Sequence, residues 1–507
     1  MHWHPWNEAT FARAQERGTP VFLVLSAAWC RFSAQFQAGP LQDERVKTLL
    51  SESFVCVQVD KDEHPEVDRE FRGGGWPSLV WLSGDRRVLH RAGALSADAL
   101  LKTARALIQG ADEDPAGKDT AQPDDGLSLA IVDDVQAMLL AASDPEYGGW
   151  GKRQKFPHPE ALHFAMVRWS QTGDAPTLEL VTRTLRHMQA SPIYDSVEGG
   201  FFRYARRADW SEPHHQKMLG SNAQRLMAYV EAYQVLGDAA FAKTAEGIVD
   251  WMQDTLLDAE TGAFRASQDE DPEYFHLSSR KARAARKAPE CDPRIVTERN
   301  AHVVCALLKG GLVLERESWT QTAVTTLDFL CDELIDKRSG VHNYWDGAPN
   351  LSGLLLDQAT LLRAMVEAVH YAGENRFLAP ALALAEYTLA EHSSPTGSLF
   401  ERLQDRTPQG APGERNETLP ANAIFASALM RLGHLLGRED LRERSRQILA
   451  AFAPSYRRYG HFIADYGRAV DLLYHPPVHV IVVGDREHDL TRALRQAALR
   501  PYVASRV

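Results

Sequence analysis

The turn Trp29-Cys30-Arg31-Phe32-Ser33 carries one thiol between an apolar, strand-length run and a segment of helical spacing. At a helix N-terminus the macrodipole favours the thiolate, the form that attacks disulfides and electrophiles. A dithiol oxidoreductase also needs a second thiol to resolve its mixed disulfide. That position is Ser33, and a hydroxyl forms no disulfide. The chemistry left to Cys30 is a one-cysteine reaction, a mixed disulfide with a thiol partner or with glutathione. The alternative is an inert thiol in a fold kept for docking.

A second set of reactive groups lies in Pro213-His214-His215-Gln216-Lys217-Met218 and Gln268-Asp269-Glu270-Asp271, with Asp292 and Asp357. Glycoside hydrolysis uses two carboxyl groups, one protonated and one ionised, flanking the bond. Asp269, Asp271, Asp292 and Asp357 are the candidates. Epimerisation beside a carbonyl instead needs a base and an acid on opposite faces of one carbon. His214 with Lys217 or His302 suits that task, since imidazole changes charge near neutral pH. Tyr204 and Trp210, with Trp150 and Phe201, would line a cleft on which a sugar stacks. The plainer readings stay open. Aspartate beside Pro or Gly commonly makes a turn or an N-cap, and aromatics at helix ends commonly belong to the core. His214 and Lys217 beside Met218 would anchor a loop, and Arg203 would pair structurally with one of the carboxylates. No His, Cys and Asp grouping has metal-ligand spacing, and no glycine-rich loop fits a phosphate cradle. No metal or cofactor is implied.

These residues need two kinds of scaffold. In the first hundred residues a helix over Glu8–Arg17 precedes strands at Pro20–Ser26, Phe54–Asp60, Leu79–Leu82 and Val88–Arg91, with a helix over Ser96–Ile108. Continuous apolar runs of strand length alternating with helical patterns indicate an α/β domain over 1–109. Gly110–Gly126 is acidic, carries Pro and Gly, and reads as a linker.

Over 127–476 the chain repeats a different unit. Twelve amphipathic segments run from Leu127–Ala142 to Phe462–Tyr474, among them Ala239–Leu256 and Arg376–His392, joined in pairs by short turns such as Gly237-Asp238. Longer loops between pairs repeat an Asp/Ser, Gly, aromatic signature, as in Asp144-Pro145-Glu146-Tyr147-Gly148-Gly149-Trp150 and Asp258-Ala259-Glu260-Thr261-Gly262-Ala263-Phe264. Such self-similarity predicts stacked helical hairpins. Six hairpins close an all-α (α/α)6 toroid, with an open solenoid as the alternative. Val478–Val483 and a helix near Leu490–Leu499 predict a small α/β tail over 477–507.

The chain has 507 residues and a net charge of −12, so nucleic acid is not the expected partner. No run approaches the roughly 18–20 apolar residues of a membrane helix, and the N-terminus lacks a signal-peptide pattern. Five scattered cysteines, Cys30, Cys56, Cys291, Cys305 and Cys331, form neither a disulfide framework nor a zinc pattern. A reducing cytoplasm is the expected location.

Two features of the first domain resemble the thioredoxin fold: the Trp-Cys-x-x-Ser turn, and Trp76-Pro77 just before a strand, where thioredoxin-like proteins place a cis-proline facing the cysteine. With both halves in view, the chain resembles the spermatogenesis-associated protein 20-like family, which joins a thioredoxin-like domain to a helical barrel. The resemblance rests on Lys155-Phe156-Pro157, on Gly199-Gly200-Phe201-Phe202-Arg203-Tyr204, and on Trp210 through Pro213-His214-His215-Gln216-Lys217-Met218-Leu219. Asp269, Asp271 and Leu419-Pro420-Ala421-Asn422 are weaker matches. The family's usual Cys-x-x-Cys has become Cys30 and Ser33. Gln216 and Gln268 replace glutamates, Gly220 and Ser221 replace a tyrosine and an aspartate, and a Trp-Asn-Gly signature is reduced to Arg299-Asn300-Ala301. These losses of acidic groups mark a divergent member. The resemblance implies a barrel like those of N-acylglucosamine 2-epimerases and several glycoside hydrolases, hence a carbohydrate-like ligand. Arg203, Tyr204, Trp210, Asp271, Asp292, Asn300 and Asn422 are the expected ligand contacts. A one-cysteine thiol-transfer protein and a non-catalytic scaffold are the alternatives.

Overall fold

Val21–Ser26 (β1) is buried along its whole length and lies inside a four-stranded sheet of order β2-β1-β3-β4. β2 (Val55–Asp60) runs parallel to it, with Val21 opposite Val55. β3 (Ser78–Leu82) is antiparallel on its other side and pairs in turn with β4 (Val88–Ala92). Alternate side chains point to opposite faces. Phe22 and Val24 pack with α3 (Glu44–Ser53) and α4 (Ala97–Ile108), while Leu23 and Leu25 pack with Phe11 and Ala14 of α1 (Glu8–Arg17). Burial on both faces explains why β1 reads as an unbroken apolar run. A further helix, α2 (Arg31–Ala38), follows β1, and the Trp76–Pro77 peptide bond before β3 is cis.

The computed structural model describes residues 2–27, 31–61, 63–64, 67–68, 71, 76–108, 126–403, 417–476, 480, 482 and 488–498. The chain divides into two compact units, Met1–Pro123 with Phe400–Thr418, and Asp124–Leu399 with Leu419–Val507.

Six helices form an inner ring in the second unit: α6 (Pro159–Thr172), α8 (Leu219–Leu236), α10 (Thr297–Val313), α12 (Leu355–Ala372), α14 (Leu419–Leu436) and α16 (Ala464–Tyr474). Each packs on the next, and α16 returns to α6, so the ring closes. The open solenoid is thereby excluded. Outside it lie α5 (Leu129–Ala142), α7 (Ala175–Ala190), α9 (Ala239–Trp251), α11 (Glu317–Leu334), α13 (Leu378–His392) and α15 (Glu439–Ala450). Gly173 and Gly237 end α6 and α8 in the left-handed conformation, at φ 69° and 68°. The next residues, Asp174 and Asp238, cap α7 and α9 by accepting from the amides of Thr177 and Ala240. A Gly-Asp dipeptide therefore stops one helix and starts the next.

Two helix ends differ from the sequence expectation. The helix expected to run to Leu256 leaves α-geometry after Trp251 and continues as a π-helical turn over Met252–Leu256. The helix expected from Arg376 begins at Leu378, after a 3-10 turn over Asn375–Phe377. In the tail, α17 (Asp489–Ala498) is present. Of the expected strand at Val478–Val483 only residues 480 and 482 are described, neither of them in a strand, and all of the linker except Gly126 lies outside the described residues. Among the described residues, no helix is long and apolar enough to cross a membrane.

Candidate functional site

The loops leading into the inner helices repeat one construction. Asp144, Asp195 and Asp258 each accept from the amide of a glycine four residues on, Gly148, Gly199 and Gly262. Each aspartate amide then donates to the carbonyl of the following residue, Gly149, Gly200 or Ala263. These glycines have positive φ, and a Cβ on Gly199 would stand 1.9 Å from the carbonyl oxygen of Gly247. The repeated signature thus reflects a turn that only glycine fits against its outer helix.

Two buried lysines hold these turns. Lys155 Nζ donates to Asp144 Oδ2 at 2.6 Å and to the Gly148 carbonyl. Lys217 Nζ donates to Asp195 Oδ2 at 2.6 Å and to the Gly199 carbonyl at 2.7 Å. Burial brings the Lys217 ammonium down to about 8, against the opposing pull of Asp195. Lys217, expected as a catalytic group, is therefore a fully enclosed brace.

Three asparagines hold the next residue of the loop. Asn222, Asn300 and Asn422 are each the fourth residue of an inner helix. Their Oδ1 atoms accept from the amides of Phe201, Phe264 and Leu399, and their Nδ2 atoms donate to the same residues' carbonyls. Asn300 and Asn422, expected as ligand contacts, have these amide groups engaged with backbone.

The remaining loop residues gather before α8 and α10, where β5 (Lys217–Met218), β6 (Ser267–Gln268) and β7 (Cys291–Asp292) form a three-stranded sheet. His214 Nε2 lies 3.5 Å from Glu270 Oε2, and Arg203 donates to Gln216 Oε1 at 3.1 Å. Gln216 in turn donates to Asp269, whose carboxyl is nonetheless raised by burial and by Asp292 and Glu290. Burial, with Arg203 and Arg206 nearby, lowers His214 to about 3 and keeps it neutral. Tyr204 stacks on Phe156 at 4.9 Å between centroids.

Other expected site residues have structural partners. Asp292 clamps Arg294 and Asp271 caps a short helix through the Tyr274 amide. Trp210 is fully buried against Gly149 and donates to the Tyr147 carbonyl at 3.0 Å. Asp357, on α12, accepts from Asn343 Nδ2 at 2.9 Å. Asp269 and Asp271 line a shallow surface hollow of ≈ 590 Å³.

A more closed cavity lies elsewhere, along the axis of the barrel. Its ≈ 120 Å³ lie between side chains of all six inner helices, among them His163, Glu231, Lys309, Arg363, Arg431 and Arg468. A smaller space of ≈ 40 Å³ shares His163, Met227, Arg363 and Arg468 and extends to Glu160, Gln224 and His302, in the first two turns of α6, α8 and α10. Together they make one well reaching the N-terminal ends of the inner helices. Gln224 Nε2 lies 3.2 Å from His302 Nε2.

Lys309 and His163 both engage Glu231. Burial opposes ionisation of Glu231, yet His163 and Lys309 hold it below the usual carboxylate range. Burial, then Arg468, lowers His163 to about 3, so it is a neutral donor here. Burial likewise opposes ionisation of Glu367, but Arg363 and Arg431 bring it to about 2. Except for His302, none of these well residues was singled out from sequence. The missed signal is a charge in a helix otherwise apolar all round, as at Lys309 in Val303-Val304-Cys305-Ala306-Leu307-Leu308-Lys309-Gly310.

In the first unit, Cys30 lies outside the described residues. Ser33 is buried, and its Oγ accepts from the Ala27 amide at 3.3 Å.

Residues 1–107 match a family of thioredoxin-like domains described as a protein of unknown function, DUF255. The chain is 23% identical to human spermatogenesis-associated protein 20, an alignment covering 100% of this chain and 83% of that protein. It is 30% identical to the mouse protein of that name over 54% of this chain, a match spanning 39% of the mouse protein. In fold the barrel is similar to a sugar epimerase from a ruminal bacterium, with TM-score 0.55 and 13% identity over 69% of this chain and 100% of that one. A D-mannose isomerase gives TM-score 0.54 and 12% identity over 69% and 97%. The cellobiose 2-epimerase of Bacillus thermoamylovorans gives 0.52 and 13% over 66% and 88%. The chain joins a thioredoxin-like domain to a six-hairpin barrel of the kind found in carbohydrate-processing enzymes, and its resemblance to the spermatogenesis-associated protein 20-like family extends along its full length.

Proposed function

We propose that the barrel binds a carbohydrate-like small molecule in the axial well, entered at the N-terminal ends of the inner helices. The observation that carries this reading is the lining itself: polar side chains from all six inner helices meet around one cavity. Charged groups are rarely enclosed without partners or a task. A sugar presents many hydroxyls, each able to donate and accept, and needs both complements close together. Guanidinium donors at Arg363 and Arg468, the amide of Gln224 and the imidazole of His302 supply them, while Met227 and Ile424 offer apolar surface to a ring face. The sugar epimerase and D-mannose isomerase that share the fold make a sugar the natural ligand class. His302 is the group in this reading that would move a proton at a bound sugar carbon. His214, Arg203, Tyr204, Asp269 and Asp271 do not line the well.

A thermal-shift panel of glucose, mannose, cellobiose and N-acetylglucosamine tests the reading, with Gln224→Leu as the comparison. At least one sugar raises the midpoint of the wild type, and the shift shrinks in the variant. No shift with any sugar contradicts it.

A further inference from the structure

Arg363 of α12, Arg431 of α14 and Arg468 of α16 come from three successive inner helices and face one cavity, with Lys309 of α10 also in its lining. The carboxylates there do not satisfy them. Glu231 is taken by Lys309 and His163. Glu367 accepts from Arg363 Nε at 2.8 Å, and Asp465 accepts from Arg468 Nη1 at 3.3 Å. Asp471, the remaining carboxylate of the lining, turns to Gln171 at 2.6 Å and His475 at 2.9 Å, with Arg168 4.0 Å away.

Arg431 is left over. Among the described residues its guanidinium makes no hydrogen bond and no ion pair, although it is half-buried. Arg363 engages Glu367 through Nε only, so its two terminal nitrogens are not committed to that carboxylate. Burial, then Arg363, lowers Arg468 from its ordinary range, with Arg431 adding to this against the pull of Asp465 and Glu231. A guanidinium fork matches the oxygen spacing of a carboxylate or phosphate, and such charge-assisted bonds are the strong ones.

We propose that the well binds an anionic group of its ligand, a phosphate or carboxylate borne on a polyol, through Arg431 together with Arg363 and Arg468. This rests on the reading of the barrel as a sugar-binding well and adds the charge of what enters it. Arg431 is the thirteenth residue of α14 and lies about two turns deeper along its helix than Gln224 and His302, each the sixth of theirs, while Arg363 is the ninth of α12 and Arg468 the fifth of α16. The anionic end therefore goes down toward Arg431 and leaves the polyol toward the mouth.

Isothermal titration of the full chain with glucose 6-phosphate, glucuronate, glucose and inorganic phosphate at constant ionic strength tests this in wild type, Arg431→Gln and Arg431→Lys. At least one anionic sugar binds about tenfold or more tighter than glucose, the worth of one charge-assisted hydrogen bond. Arg431→Gln removes that advantage, while Arg431→Lys, which keeps the charge, retains part of it. Far-UV circular dichroism confirms that both variants are folded. Which of the two anionic sugars gains more identifies the group. Equal binding of glucose and both anionic sugars, unchanged in Arg431→Gln, overturns the anion site and leaves the sugar-binding reading standing. Arg431-dependent binding of inorganic phosphate, with nothing gained from attached sugar, supports the anion site and overturns the sugar reading. No binding by any probe overturns both.

Discussion

Lys217 Nζ lies 2.6 Å from Asp195 Oδ2, with both side chains closed off from solvent. Arg283 reaches the same carboxylate oxygen at 2.6 Å, so one aspartate anchors two cations from different loops. Removing one partner of such a pair leaves a buried charge uncompensated. Lys217→Ala is expected to cost about 3–5 kcal/mol of unfolding free energy. Urea denaturation of the variant checks this. A loss below about 1 kcal/mol, of the size seen for exposed pairs, would contradict the bracing role.

Asn300 accepts one backbone hydrogen bond and donates two, at 2.8, 2.9 and 3.0 Å. Asn300→Ala strands buried donors and acceptors in the Phe264 loop and costs about 2–4 kcal/mol. Asn422→Ala behaves alike, because it holds Leu399 in the same way. Chemical denaturation of the two variants tests the equivalence, and a silent substitution at either position would contradict it.

Gly199 and Gly237 both have positive φ, 86° and 68°, but only Gly199 has a neighbour in the path of a Cβ. Gly237→Ala is expected to cost about 1–2 kcal/mol from backbone strain alone. Gly199→Ala adds a collision with the Gly247 carbonyl and lowers the yield of folded protein or its melting point much further. Equal effects would show that the close approach of this loop to α9 is not required.

His163, His214 and His215 are lowered from 6.5 to about 3, 3 and 4. Burial is the first cause in each, followed by Arg468 for His163, Arg203 for His214 and His276 for His215. The unfolded chain takes up these protons near pH 6.5, whereas the folded chain does so only near pH 3–4. Stability therefore falls as pH drops through that window, by up to about 1.4 kcal/mol per unit for each group. Denaturation midpoints at pH 7.5, 6.5 and 5.5 check the sign. His214→Gln, which cannot titrate, makes the slope shallower, and a stability independent of pH over this range would contradict the assignment.

The architecture was legible because local signals agreed with it. Helical spacing marked the twelve barrel helices, Gly-Asp pairs marked their turns, and the Asp-to-Gly loop repeat marked the hairpins. The hairpin of β8 (Gly340–Trp345) and β9 (Pro349–Ser352) was missed, since Gly347 and Asn350 interrupt its alternation. The well was missed for a different reason. Chemistry was sought in loops rich in Asp, His and aromatics, where Lys217, Asn300 and Trp210 turn out to brace the fold. Glu231, Lys309 and Glu367 sit within apolar helices whose two faces both pack inside the barrel, so no amphipathic stripe points to them. A fully enclosed charge in such a helix was the available clue.

Met227 touches both parts of the axial well and has no polar role there. The most direct test of ligand binding in the barrel is calorimetric titration of the tightest-binding saccharide into wild type, Met227→Trp and His214→Ala. Filling the well with indole is expected to weaken binding by tenfold or more, on the order of 1.4 kcal/mol, while His214→Ala changes it little. Unchanged affinity in Met227→Trp, or loss confined to His214→Ala, would move the site out of the well and contradict the central claim.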